Sequence, residues 1–193
     1  MQLESFYRDY LQIEDEEVIQ KAAAASRIRE IKAGEYLFKQ GDVPMQICFL
    51  IKGIMRGFLS NVNGKDITDC LCFRCGETVM PDGEFQRPAS INIEALEDSQ
   101  LVCIDLETVQ ELLENYPSLS KIYEWFLIRS ANLHRALKIA TYQYTATQRY
   151  QWFLKEYPGL IDRIPHRYIA SLLNMTPVTL SKIRRSLKDA EAS

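Results

Sequence analysis

The sequence predicts an α+β protein: an N-terminal antiparallel β-roll of jelly-roll type with flanking helices, one long helix, and a C-terminal helix-turn-helix. Three observations carry that reading. From Ile31 to about Asp105 short apolar stretches alternate with turn signals at Gly34, Gly41-Asp42, Gly53, Asn61-Val62-Asn63-Gly64, Gly76 and Asp82-Gly83, the even spacing of an all-β roll. From Leu119 to Ala140 apolar residues step by three and four, as on one face of a helix. After Tyr142 helix starts and stops follow one another at short intervals.

The elements follow in order. Phe6, Tyr10, Ile13, Val18, Ile19, Ala22 and Ala23 have helical spacing and predict one or two short helices within the first ~27 residues. In the roll, Asn63-Gly64 between Phe58-Leu59 and Ile67 is the best hairpin turn, because both residue types tolerate positive φ. Leu106 to Asn115 reads as a short helix closed by Pro117. The long helix then presents Leu119, Ile122, Phe126, Arg129, Leu133, Ala136 and Ala140 as one seam. A seam leaving a β domain is expected to pair with a second copy of the chain, so these seven residues are the expected dimer interface.

The C-terminal quarter reads as helices at about 147–157, 165–173 and 176–187. Pro158-Gly159 stops the first, Pro165 suits the opening of the second, and Thr176-Pro177 supplies an N-cap and first position for the third. Asn174 can take the left-handed conformation of a tight corner. Ile169, Ala170, Leu173, Leu180 and Ile183 then face inward, while Val178, Thr179, Ser181, Lys182, Arg184 and Arg185 face out.

Composition bounds the function. The chain has 193 residues, 47% hydrophobic and 25% charged, which excludes wholesale disorder. No apolar run approaches a membrane span, and the acidic start lacks a signal pattern. Five cysteines, an odd count, point to reduced thiols and a cytoplasmic location. The net charge of −3 conceals an asymmetry: residues 144–193 hold 8 Lys+Arg against 4 Asp+Glu, and everything before them is net acidic. A basic module on an acidic body suits a polyanion such as double-stranded DNA. Short polar side chains followed by cations on the third helix suit a major groove flanked by phosphates.

Several ordered motifs resemble the Crp/Fnr family of bacterial transcription regulators over nearly the full chain. They are Gly34-Glu35, Phe38 to Asp42, Phe49 to Gly53 and Gly76-Glu77 in the roll. Thr147-Gln148-Arg149-Tyr150, Ile169 to Leu173 and Thr179 to Arg184 follow in the C-terminal module. The resemblance implies a cyclic-nucleotide-binding-like sensor domain at 1–117, a dimerisation helix at 118–143 and a DNA-binding domain at 144–193. It also implies a homodimer on a pseudo-palindromic site, its recognition helices about 34 Å apart, with RNA polymerase as a further partner and no membrane. Thr176, Thr179, Ser181, Lys182, Arg184, Arg185 and Tyr168 are the expected DNA contacts, with Lys182 on a base edge.

In family members that bind a cyclic nucleotide, a Gly-Glu and an Arg followed by Ser or Thr cradle phosphate and ribose. Gly76, Glu77, Arg87 and Ala89 stand at those places, and His134 falls on the purine side. Pro88 after Arg87 supplies neither hydroxyl nor N–H. With His134-Arg135 where a hydroxylated pair is expected, these departures argue against cyclic AMP. A different small anionic effector, or none, is the expectation. An iron–sulfur cluster on Cys70, Cys72 and Cys75, with Cys48 and Cys103 in reserve, is the weaker reading; cysteines two apart in a strand share a face, expected to be the core face. No metal, haem or other cofactor is expected. The chain stops at Ser193, too short for the β-hairpin wing that follows the recognition helix in many family members, so a full wing is expected to be missing or truncated. The rival reading is a ligand sensor whose C-terminal helices contact protein rather than DNA. No catalytic motif supports an enzyme.

Overall fold

The computed structural model describes residues 2–84 and 86–191. It separates into two compact units, residues 1–59 with 71–129 and residues 60–70 with 130–193.

The first unit opens with α1 (Leu3–Asp9) and α2 (Glu16–Ala24). Asp15 caps α2, its carboxylate accepting hydrogen bonds from the Glu17 and Val18 amides, and Glu16 and Glu17 add negative charge at the positive end of the helix. Seven strands follow: β1 (Ser26–Ile31), β2 (Tyr36–Phe38), β3 (Gln46–Lys52), β4 (Met55–Ser60), β5 (Asp66–Cys72), β6 (Asn92–Ala95) and β7 (Ser99–Asp105). They form two sheets in the orders β1-β7-β3 and β2-β6-β4-β5, and the pairs β1–β7, β3–β7, β2–β6 and β4–β6 are antiparallel. This is the expected roll.

Strand alternation divides the residues of the first sheet between two faces. Ile47, Phe49, Val102 and Ile104 meet Phe6, Tyr7, Val18, Ile19 and Ala22 of the N-terminal helices and Leu106 and Leu112 of α3 (Leu106–Asn115). Full burial of each such side chain contributes about 1.5–3 kcal/mol. The long helix α4 (Ser118–Gln143) starts on the same cluster: Leu119 is buried there, Ile122 and Phe126 pack against it, and the Phe126 ring lies 5.8 Å from that of Phe49.

The second unit holds the β4–β5 turn, the rest of α4, and α5 (Ala146–Glu156), α6 (His166–Leu172) and α7 (Pro177–Glu191). Thr145 and Gln148 close a reciprocal capping box at the start of α5. Gly159, at φ 78°, leads into a short 3-10 turn at Leu160–Asp162 that the sequence did not suggest. Tyr150, Phe153, Tyr157, Leu160, Ile164, Ile169, Leu173, Leu180 and Ile183 build the small core.

Two local readings shift. The hairpin turn falls where expected, but only Gly64 takes a positive φ. Asn61 organises the loop instead: its side-chain oxygen accepts from the Asn63 and Lys65 amides, and its own amide donates to the Lys65 carbonyl. The last helix runs further than read, to Glu191. The end of the stretch read as too short for a wing, Ala192 and Ser193, lies outside the described residues. Among the described residues no helix is long and apolar enough to cross a membrane.

Candidate nucleic-acid interface

The corner between α6 and α7 is made as its residues dictate. Asn174 adopts φ 48°, and the Met175 amide donates to the Ala170 carbonyl, closing the turn. Ala170 is fully buried, its small side chain fitting among Ile169, Leu173 and Leu180. Thr176 caps α7, accepting from the Thr179 amide at 3.1 Å. This packing fixes which side of α7 faces out.

The outward side carries Val178, Ser181, Lys182 and Arg185, and continues to Ser186 and Asp189. Lys182 and Arg185 are exposed and have no ion pair among the described residues. Three other expected contacts have local duties. The Thr179 hydroxyl lies 2.9 Å from that of Thr176, so the two satisfy each other at the helix start. Arg184 is turned back, hydrogen-bonded to the His166 ring and 3.9 Å from the Asp162 carboxylate. Tyr168 receives a hydrogen bond from Arg167, whose guanidinium also lies over its ring at 4.6 Å. Ser181, Lys182 and Arg185 therefore form the free polar face, short in the middle of the helix and cationic beyond it.

Each of the five expected effector residues has local surroundings of its own. Glu77 is held by its own chain: one carboxylate oxygen accepts from the Phe73 and Arg74 amides at 2.8 and 3.0 Å, and the other faces Arg74 and Arg129, each at 3.3 Å. Gly76 turns the chain at φ 84°. Arg87 is exposed and paired with Glu84. Ala89 is buried, and its amide donates to the Asp42 carbonyl. His134 belongs to the second unit. Arg129 is the residue sequence reasoning misplaced; a cation interrupting an apolar row calls for a carboxylate, and Glu77 is that carboxylate.

The expected dimer seam also needs correction. Leu119, Ile122 and Phe126 fill the core of their own chain, Arg129 binds Glu77, Leu133 and Ala136 are half-buried, and Ala140 is fully buried. The exposed apolar row of α4 is another one: Trp125, Ile128, Ile139 and Tyr142, with Asn132 and Arg135 between them, also stepping by three and four. Ile128 is 59% exposed and Tyr142 78%.

Cys70 and Cys72 are only half-buried, and Leu71 between them is the core residue, so the expected core placement of the cysteines fails. Among the described residues no three His, Cys, Asp or Glu side chains gather into a metal-holding group.

In the second unit His134 bridges α4 to β5. Its Nε2 lies 3.3 Å from an Asp69 carboxylate oxygen and its Nδ1 3.0 Å from the Ser130 carbonyl. The Asp69 carboxylate, aided by the Ser130 carbonyl, raises the imidazolium pKa to about 9. A pKa raised in the folded state gives stability that is full below about pH 6.5, the ordinary histidine value, and is lost as pH rises through about 9. Asp69→Asn is expected to return the His134 ring titration, followed by NMR, toward the ordinary range. A midpoint that stays near 9 in the variant overturns the pairing.

Residues 28–116 match the family model of the cyclic nucleotide-binding domain. No curated protein sequence matches the chain. Among solved structures, the chain is similar to FixK2 from Bradyrhizobium japonicum, with a TM-score of 0.76 at 13% identity over 86% of each chain. It is also similar to the c-di-GMP-responsive global regulator CLP of Xanthomonas campestris, with a TM-score of 0.74 at 15% identity over 92% of this chain and 93% of that one. The catabolite activator protein of Thermus thermophilus aligns at 20% identity over 96% of this chain and 87% of that one, with a TM-score of 0.54.

Proposed function

We propose, from the match of residues 28–116 to the cyclic nucleotide-binding domain model and the fold shared with FixK2 and the global regulator CLP, that the protein is a sequence-specific DNA-binding transcription regulator of Crp/Fnr type and not an enzyme. The observation that carries this reading is the outward face of α7, where Ser181, Lys182 and Arg185 are exposed with no ion pair among the described residues while Leu180 and Ile183 pack inward. Lys182 takes a base edge, and Arg185 neutralises phosphate. Thr179 and Tyr168 contribute through the helix start and the neighbouring helix, and Arg184 positions α7 rather than reaching DNA.

The working form is a homodimer paired through Trp125, Ile128, Ile139 and Tyr142 of α4, which supplies two recognition helices to a pseudo-palindromic site. The sensor half supports a small anionic effector less well, because its cations already face carboxylates: Arg87 pairs with Glu84, and Arg74 and Arg129 with Glu77. RNA polymerase is the expected partner once DNA is bound. Retardation of genomic DNA fragments at low and high salt tests the reading. The wild-type chain is expected to retard a subset of fragments, with affinity falling steeply as salt rises. Ile128→Asp, which sets a charge in the apolar row, is expected to sediment as a monomer and to lose most of that affinity. No salt-sensitive retardation of any fragment sinks the proposal and favours a protein-contact role for the C-terminal helices.

A further inference from the structure

Cys48 on β3 and Cys103 on β7 take no part in the site described above. They are register partners across the antiparallel pair, both completely buried, with their sulfurs 2.8 Å apart. The backbone explains the closeness. The Leu50 amide donates to the Glu77 carbonyl at 2.9 Å, and the Leu50 carbonyl accepts from the Gly76 amide at 2.8 Å. The Cys48 carbonyl accepts from the Val79 amide at 2.7 Å. Residues 48 and 50 thus turn their backbone groups away from β7, toward 76–79. Cys48 and Cys103 therefore oppose each other as a non-hydrogen-bonded pair, the closely spaced kind with Cα atoms about 4.5 Å apart. That separation lies within the roughly 4.4–6.8 Å that a disulfide spans.

We propose that Cys48 and Cys103 form a reversible dithiol–disulfide site in the β-roll, oxidised by a small peroxide. The two thiols are not equivalent. The hydrogen bond from Cys48 lowers the Cys103 pKa against the opposing effect of burial, helped by Arg29 and Arg27 on the adjoining strand β1. The same hydrogen bond and burial raise that of Cys48. With Cys103, the register partner of Arg27 on β1, as the attacking thiolate, Cys48 is the resolving thiol. Its sulfur takes the distal oxygen of the peroxide and becomes a sulfenic acid as the O–O bond breaks. Cys48 gives up its proton, attacks the Cys103 sulfur and displaces that oxygen. With hydrogen peroxide the balance is two thiols and one peroxide to one disulfide and two waters. Because both sulfurs are buried, the peroxide enters only when the sheet opens locally, and β1, which pairs with β7, is an edge strand of that sheet.

The bond would lock β3 to β7 directly beside the segment that holds Gly76 and Glu77, so the oxidation state of the pair is felt at that segment. The test treats the purified full-length chain with hydrogen peroxide, then unfolds it, alkylates it and weighs it. Of the five cysteines, three are expected to remain alkylatable, with the mass of two hydrogens lost, one peptide link between Cys48 and Cys103, and full reversal by dithiothreitol. Cys48→Ala is expected to abolish the loss of two hydrogens. Because that buried substitution can also disturb folding, the triple variant Cys70→Ser, Cys72→Ser, Cys75→Ser decides independently: it is expected to oxidise as the wild type does. A wild type that keeps all five thiols alkylatable overturns the proposal. So does a link mapped to Cys70, Cys72 or Cys75, or a triple variant that no longer loses two hydrogens.

Discussion

Lys182→Ala is expected to weaken binding at a cognate DNA site by about 1–3 kcal/mol and to relax sequence preference at one position in each half-site. The expectation rests on where α7 puts the residue. Inward positions Leu180 and Ile183 are fixed by packing, so Lys182 projects from the opposite side with its ammonium exposed and unpaired among the described residues. No intramolecular bond has to be broken before the ammonium meets a guanine edge, and none is left unsatisfied in the free protein when it is removed. The loss therefore falls on the complex and not on the fold. Arg185 stands three residues on, about one turn further along the same face, and is the proposed phosphate contact. Arg185→Ala should weaken binding on every sequence and reduce the salt slope by about one. Arg184→Ala is the internal control. Its guanidinium is held by His166 and Asp162, so the substitution should cost stability of the second unit before it costs DNA affinity. Retardation assays on a cognate site and on single-base variants distinguish the three. A Lys182→Ala loss that is equal on every sequence would move Lys182 to the phosphates and leave base reading to Ser181.

The accuracy of the sequence reading follows the range of the forces involved. The α6–α7 corner was legible because Asn174, Thr176 and Pro177 act on their own backbone, and their signal is local. The roll was legible because glycine turns at even spacing leave few alternatives for the strands between them. The long helix shows the limit. Two rows on α4 step by three and four, one through Leu119, Ile122 and Phe126 and one through Trp125, Ile128 and Tyr142. Periodicity marks both and cannot say which one the chain's own sheet covers. That is decided by Phe49 on β3, far away in sequence, whose ring meets Phe126. The single cation in the first row was the clue, since Arg129 implied a nearby carboxylate on its own chain. The same limit governs the effector residues. A ten-residue spacing between Glu77 and Arg87 says nothing of Glu84, Arg74 and Arg129, which take up their charges locally. It also governs Cys70 and Cys72: strand parity puts both on one face, but which face is the core depends on what the other sheet brings to it, and Leu71 holds that place.

Gly53→Ala is expected to cost about 3 kcal/mol or more, a large share of the 5–15 kcal/mol that holds an ordinary domain together. Gly53 joins β3 to β4 at φ 112°, a conformation that a residue with a side chain enters only under strain of about 1–3 kcal/mol. A methyl group there would also stand 2.5 Å from the Cβ and 2.7 Å from the Cα of Ser99. Ser99 cannot withdraw. It begins β7, the central strand of its sheet, and its buried hydroxyl donates to the Glu97 carbonyl at 2.7 Å while accepting from the Ile54 amide at 3.3 Å. Moving it breaks both bonds inside the core, so overpacking adds about 1–3 kcal/mol to the backbone strain. Gly64→Ala separates the two contributions. Gly64 also has positive φ, 72°, but nothing lies within 4 Å of an added Cβ, so that variant carries the left-handed penalty alone, about 1–2 kcal/mol. Urea unfolding followed by the two tryptophans together, Trp125 in the first unit and Trp152 in the second, reads both variants, since Gly53 lies in the first unit and Gly64 in the second. The Gly53 variant should unfold at clearly lower urea than the Gly64 variant. Equal midpoints would mean that β7 yields at Ser99 and that the close approach of the β3–β4 turn is not what holds the two strands in register.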